Sequence, residues 1–66
     1  MNISKSIQVC LDDTGIQKKT LAKRLGVTKQ TVSALMKSET CSPRMLVLLS
    51  EVFGLKVSEF VELGEN

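Results

Sequence analysis

A single glycine, Gly26, joins two short stretches of helical periodicity, and this feature restricts the possible fold more than any other. The segment from Lys18 to Lys37 reads KKTLAKRLGVTKQTVSALMK. Its apolar residues recur three and four positions apart, which predicts two amphipathic helices. Glycine adopts the left-handed conformation between them without strain. The sequence therefore predicts a tight pair of short helices.

The charge around this helix pair is strongly positive. From Lys18 to Arg44 the chain carries seven basic residues and one acid, Glu39, although its total net charge is only +2. Residues 1–17 sum to −1 and residues 45–66 to −3. A small helical surface with concentrated positive charge is suited to a polyanion, and double-stranded DNA is the expected partner.

Length and composition exclude several classes of protein. The 66 residues provide for one domain, 1–66, with no second core. No apolar run is long enough to span a bilayer, and residues 1–14 lack the pattern of a signal peptide. Without histidine or a Cys-x-x-Cys pair, neither a zinc site nor a cofactor is expected. No membrane or small-molecule partner is expected either.

The two cysteines indicate a reducing compartment. Cys10 lies on an apolar helical stripe and is predicted to be a small buried hydrophobe, whereas Cys41 is predicted to be exposed in a loop. Two unremarkable cysteines do not form the disulfide framework of a secreted domain. Both are therefore expected to be reduced, and the protein to be cytoplasmic.

The spacing of apolar residues predicts an all-α fold of five helices, over about 3–13, 18–25, 29–37, 43–53 and 57–63. Asn2 or Ser4 is expected to cap the first helix, Thr28 the third and Ser42 the fourth, where Pro43 suits the first turn. The start of the fifth helix has no clear cap. Residues 64–66 are expected to form a loose end.

One face of each helix is predicted to form the core. The expected core residues are Ile3, Ile7, Cys10, Leu11, Leu21, Ala22, Leu25, Val32, Leu35, Met36, Met45, Leu46, Leu49, Val52, Phe53, Phe60, Val61 and Leu63.

Residues 18–37 also satisfy the spacing of a helix-turn-helix motif. Ala22 is the small residue needed where the two helices cross, and Gly26 is the glycine needed at the turn. The buried positions of the motif are apolar: Leu21, Leu25, Val27, Val32 and Leu35. A generic αα-hairpin is the alternative, but it gives no reason for that alanine and glycine beside an outer face of cations.

On these residues the chain resembles the lambdoid phage repressor and Cro family. The similarity covers about residues 3–64 and includes Ser42-Pro43-Arg44 and Phe53-Gly54-Leu55. It implies a compact five-helix, lambda-repressor-like DNA-binding fold with the helix-turn-helix on helices 2 and 3. Many members have an Arg–Glu pair where this chain has Leu11 and Met36, and an apolar pair there is compatible with the fold.

The second helix of such a motif lies in the major groove. Its predicted outer residues include Lys29, Gln30, Ser33 and Ala34. Lys29 suits guanine, Gln30 suits adenine, and Ala34 suits a thymine methyl group. Lys29, Ser33 and Lys37 are spaced as one helical stripe. The resemblance points to Lys29, Gln30 and Ala34 as base-reading residues.

Phosphate contacts are predicted for a second set of residues. Lys18 begins a helix whose amide-rich N-terminus suits a phosphate, and Lys37 and Arg44 are placed to hold further phosphates. The resemblance adds Thr28 and Thr31. For Lys5, Lys19 and Lys23, a solvated helix face is the favoured interpretation.

The resemblance also implies a homodimer on DNA. Val57, with Glu59 beside it, is the predicted dimer contact, and the alternative is that Val57 completes the core.

The function predicted from the sequence is that of a small Cro-like repressor, because the chain ends where the DNA-binding domain ends. An antitoxin-type or other protein-interaction module is the alternative. An enzyme is not expected, because the chain has no histidine to act as a general base.

Overall fold

The computed structural model describes residues 2–65. Within that range it has no strand and five α-helices: α1 Ile3–Thr14, α2 Lys18–Leu25, α3 Lys29–Leu35, α4 Pro43–Val52 and α5 Val57–Leu63. The predicted all-α fold and the order of its helices are confirmed. Helix α2 packs on α3 and α4, and α5 packs on α1 and α4.

Helix α3 is shorter than the sequence predicted. The amides of Lys37 and Ser38 donate to the carbonyls three residues back, Ala34 and Leu35, at 3.1 Å each. The Ser38 hydroxyl also donates to the Ala34 carbonyl at 3.0 Å. These bonds tighten the chain into a turn, so the predicted helix over 29–37 is wrong in its last two residues. Lys37 therefore lies beyond the helical stripe that begins at Lys29.

The core lies between all five helices. Its buried apolar residues are Ile3, Ile7, Cys10, Leu11, Leu21, Ala22, Leu25, Val32, Leu49 and Phe60. Phe53, which is half-buried, stacks on Phe60 with ring centroids 6.2 Å apart and planes 9° from parallel. The other predicted core residues are half-buried; among them, Leu35, Met36, Met45, Leu46, Val52 and Leu63 pack against this core. Val61, which was expected inside, is half-buried.

Cys41 is not exposed in its loop. It is half-buried and packs against the core, so the prediction of an exposed thiol is wrong. Desolvation raises the pKa of the Cys41 thiol above its ordinary value. Burial has the larger effect on Cys10, where desolvation, with Asp13 nearby, raises the pKa of the thiol to about 11.

The first turn of α1 is bonded to the loop that follows α3. The Ile3 amide donates to the Glu39 carbonyl at 2.9 Å, and the Ser4 amide donates to the Ser38 carbonyl at 3.1 Å. Of the two predicted caps for α1, Asn2 is the one used, since its side chain accepts from the Lys5 amide at 3.3 Å. Two amides of the helix start, normally left without partners, are thus satisfied by a distant segment.

Gly64 closes the domain rather than forming a loose end. It is buried, and its amide donates to the Val61 carbonyl at 3.0 Å. A Cβ atom at this position would overlap the Asn2 carbonyl oxygen and lie 2.6 Å from Ser6 Oγ. The predicted loose end is therefore wrong for Gly64. Glu65 is exposed, and Asn66 lies outside the described residues.

Candidate nucleic-acid interface

The turn between α2 and α3 is fixed by the backbone. Gly26 adopts φ +74°, its amide donates to the Lys23 carbonyl at 3.2 Å, and the Val27 amide donates to the Ala22 carbonyl at 3.0 Å. This pair of bonds is the Schellman arrangement, which needs a left-handed residue at the Gly26 position. Ala22 is only 4% exposed. The alanine and glycine of the predicted motif thus hold α2 and α3 in one relative orientation.

Thr28 sets where α3 begins. Its hydroxyl oxygen accepts a 3.2 Å hydrogen bond from the Thr31 amide, which confirms the predicted cap. The two threonine hydroxyls lie 3.1 Å apart and share one further hydrogen bond. A mutual bond uses only one of their two protons. The other proton remains available to donate to a phosphate oxygen.

The four predicted base-reading residues share one face of α3. Lys29, Gln30, Ser33 and Ala34 are all exposed, whereas Val32 is fully buried. At 3.6 residues per turn, the four side chains span an arc of about 140° around the helix axis. Burial of Val32 prevents α3 from rotating, so the direction of this arc relative to the core is fixed.

An open groove connects α3 with the start of α2 and the end of α1. We call it the lysine groove; the side chains that define it are those of Lys18, Lys19, Lys29, Gln8, Asp12 and Gln17. It brings a predicted phosphate residue, Lys18, and a predicted base-reading residue, Lys29, to the same concavity. A groove that concentrates positive charge attracts a polyanion.

Four of the six side chains that define the lysine groove were not among the predicted site residues: those of Lys19, Gln8, Asp12 and Gln17. Lys19 was interpreted as a solvated helix face, but it lines the groove beside Lys18. Gln8 donates a 2.9 Å hydrogen bond to the Asp12 carboxylate from α1, an element that carried no motif in the sequence. Gln17 precedes α2 as its N-terminal cap residue yet makes no side-chain capping bond. Its position directly before a predicted helix start was the sequence signal that could have placed Gln17 at the site.

The remaining predicted phosphate residues lie outside the lysine groove. Lys37 is exposed in the turn after α3, and Arg44 is exposed in the first turn of α4. That turn is held by Ser42, whose hydroxyl accepts from the Met45 amide at 3.2 Å, as predicted. The structure thus places cations both at the lysine groove and around the loop after α3.

The two predicted dimer residues lie on α5 but point in different directions. Val57 is 37% exposed. Glu59 is exposed, and its carboxylate accepts a 2.9 Å hydrogen bond from the Lys56 amide, which supplies the helix start with the cap that the sequence did not reveal. Two positions apart on a helix, these residues are separated by about 200°. They therefore occupy opposite flanks of α5.

Comparison with known proteins agrees with this geometry. The family model described as "Helix-turn-helix" matches residues 10–60, which include α2, the glycine turn, α3 and α4. The chain belongs to this family. Searches of curated proteins and of solved structures give no significant match. As a helix-turn-helix protein of the Cro/C1 type, the chain is a member of a family of DNA-binding regulators.

No group of three or more histidine, cysteine, aspartate or glutamate side chains within residues 2–65 is arranged to hold a metal ion. None of the five described helices is long and apolar enough to cross a lipid bilayer.

Proposed function

We propose that this protein is a cytoplasmic, sequence-specific transcriptional regulator that acts as a Cro-like repressor. In this proposal a homodimer binds a pseudo-palindromic operator, and each α3 enters the major groove. Occupation of the promoter is sufficient for repression, so no catalytic step is needed. The observation that carries the proposal is the exposed arc of Lys29, Gln30, Ser33 and Ala34, held rigidly beside the lysine groove.

Base recognition is assigned to the N-terminal half of α3. Gln30 offers one donor and one acceptor, which match adenine N7 and N6, and Lys29 donates to guanine O6 and N7. Ser33 can pair with several bases, and the Ala34 methyl group favours a thymine methyl. These contacts supply sequence discrimination, because they meet the base edges rather than the phosphates.

Affinity is assigned mainly to phosphate contacts. Lys18 stands at the N-terminus of α2, where helix amides and the lysine charge both favour an anion. Thr28 and Thr31 contribute the spare hydroxyl proton at the start of α3. Lys37 and Arg44 extend the contact along the backbone beyond α3. Their charges make binding depend steeply on salt.

Dimerisation is assigned to the flank of α5 that carries Val57. Val61 is one turn further along that flank and is half-buried, so the two valines form a short apolar strip. Glu59 lies on the opposite flank and can contribute only at the edge of such a contact. The proposal therefore centres on Val57.

Selection of binding sites from random duplex DNA at moderate salt tests the proposal. The expected result is an enriched pseudo-palindrome whose half-sites lie about one helical turn apart. Chemical-shift mapping with the enriched duplex should then locate the contacts on α3 and the lysine groove. Failure to enrich any sequence, or contacts confined to another surface, would refute the assignment.

A further inference from the structure

A second concave surface lies between α1 and α5 and has the opposite character to the lysine groove. Two adjoining hollows share Leu55 and Leu63 as lining residues. We call their combined surface the acidic groove; its defining side chains are those of Val9, Asp13, Leu55, Glu59, Glu62 and Leu63. None of these side chains belongs to the residues assigned to DNA binding.

The floor of the acidic groove is apolar and rigid. Leu55 and Leu63 are half-buried and pack against the core, while Val9 is 36% exposed and contributes apolar surface at the edge. Phe53 also lines one hollow and is stacked on the buried Phe60. Because Phe53, Leu55 and Leu63 pack against the core, the groove presents a preformed apolar surface to solvent.

The rim of the acidic groove is negatively charged. Asp13 borders one hollow, and Glu59 and Glu62 border the other. Among the described residues that line either hollow, none is lysine or arginine. The segment 45–66, which supplies most of the groove, has a net charge of −3. The chain thus separates its charge, with cations around α2 and α3 and acids around α5.

We propose that the acidic groove binds a basic, amphipathic helical segment of another protein. Apolar residues of that segment, spaced three and four apart, would cover Val9, Leu55 and Leu63, as in other helix-in-groove complexes. Its lysines or arginines would pair with Asp13, Glu59 and Glu62. A nucleic acid is excluded from this surface by its charge.

A second copy of this chain does not suit the acidic groove. A two-fold contact places the same patch of each copy against the other, so the acids of one rim would face the acids of its partner. Like-charge contact of this kind is unfavourable across an interface. The cations of a second copy lie around α2 and α3, on the surface assigned to DNA. The occupant is therefore a different protein with positive charge.

The experiment uses the full chain labelled with ¹⁵N, without DNA, and two synthetic peptides of about four helical turns. Both peptides carry leucine at every third and fourth position; one has lysine at the remaining positions and the other glutamate. The lysine peptide is expected to shift the amide resonances of Val9, Leu55 and Leu63 on titration. The glutamate peptide is expected to bind at least about tenfold more weakly, because its carboxylates would face the carboxylates of the rim.

Charge reversal provides the matched variants. Glu62→Lys removes a rim acid, whereas Glu51→Lys makes the same change at an exposed residue of α4 that does not line the groove. Glu62→Lys should lower the affinity for the lysine peptide by about fivefold, whereas Glu51→Lys should lower it by less than about twofold. Circular dichroism verifies that both variants are folded. Neither should lower affinity for duplex DNA, so this test and the test of the DNA-binding proposal can fail separately.

Three results would overturn the proposal. The first is no shift at the groove residues with the lysine peptide. The second is equal binding of the two peptides or an equal response of the two variants. The third is a concentration-dependent shift at the groove without peptide, which would show that a second copy occupies it.

Discussion

Gly64 meets the carbonyl oxygen of Asn2 so closely that the structure leaves no space for a side chain between them. The contact joins the end of α5 to the start of α1. Ser6, which is fully buried, completes it by donating to the same carbonyl at 3.3 Å. The φ of Gly64 is −89°, which any residue can adopt, so glycine is required here for its size and not for its backbone freedom.

Gly64→Ala is expected to destabilise the domain by about 1–3 kcal/mol, the usual effect of overpacking a filled site. Gly54→Ala is the control: Gly54 has φ +68° but open space around it, so only the left-handed conformation is penalised, at about 1 kcal/mol. Urea unfolding of both variants measures the difference. A smaller loss at Gly64 than at Gly54 would contradict the close contact.

Thr28→Ala should destabilise the protein by about 0.5–2 kcal/mol, because the Thr31 amide loses its acceptor. Thr28→Ser keeps the hydroxyl and should retain most of the stability. Chemical denaturation compares the three proteins. If serine and alanine were equally destabilising, the capping bond would not be the cause.

Gln30→Ala and Lys18→Ala should affect DNA binding in different ways. Loss of Gln30 is expected to relax preference at one or two base positions, by about 1–3 kcal/mol of discrimination. Loss of Lys18 should weaken all duplexes alike and reduce the slope of log K against log salt by about 1. Binding isotherms on enriched and scrambled duplexes at several salt concentrations separate the two effects. Uniform loss in both variants would mean that α3 docks in another orientation.

Val57→Lys should abolish cooperative occupation of two half-sites while leaving the monomer folded. The matched control is Val47→Lys, since Val47 is 44% exposed and Val57 37% exposed. Sedimentation of each variant with an operator duplex gives the number of chains bound. If Val57→Lys still bound cooperatively as two chains per duplex, the dimer contact would lie on a different surface.

Burial of the Cys10 thiol should make stability fall at high pH. Its pKa in the folded protein is about 11, above the ordinary 9.0, so between these values the unfolded chain releases a proton that the folded chain retains. The contribution is complete below pH 9 and is lost as the pH rises toward 11. Unfolding at pH 8 and pH 10.5 should show a smaller decline in Cys10→Ala than in the unsubstituted protein. Equal declines would mean that the thiol is not desolvated.

The helices and the motif could be predicted because local signals were sufficient. Apolar spacing placed α2 and α5, and the caps at Thr28 and Ser42 follow from side-chain chemistry within three residues. The end of α3 was missed because it depends on a competing bond from Ser38 to Ala34. The same locality explains why the four exposed residues of α3 were found.

Contacts between distant segments could not be predicted from the sequence. Nothing in residues 36–42 indicates that the carbonyls of Ser38 and Glu39 receive amides from α1, or that Cys41 turns inward. Gln8 was missed because its part in the lysine groove requires α1 to lie beside α2 and α3.

The hydrogen bonds from Ile3 and Ser4 to the loop after α3 have a consequence for mutational scanning. A substitution that disturbs the opening turn of α1 will displace Lys37 and its neighbours without touching DNA. For the proposed operator complex, a map of affinity against sequence will therefore show sensitive positions in the first turn of α1, and reading every one of them as a contact would overestimate the footprint.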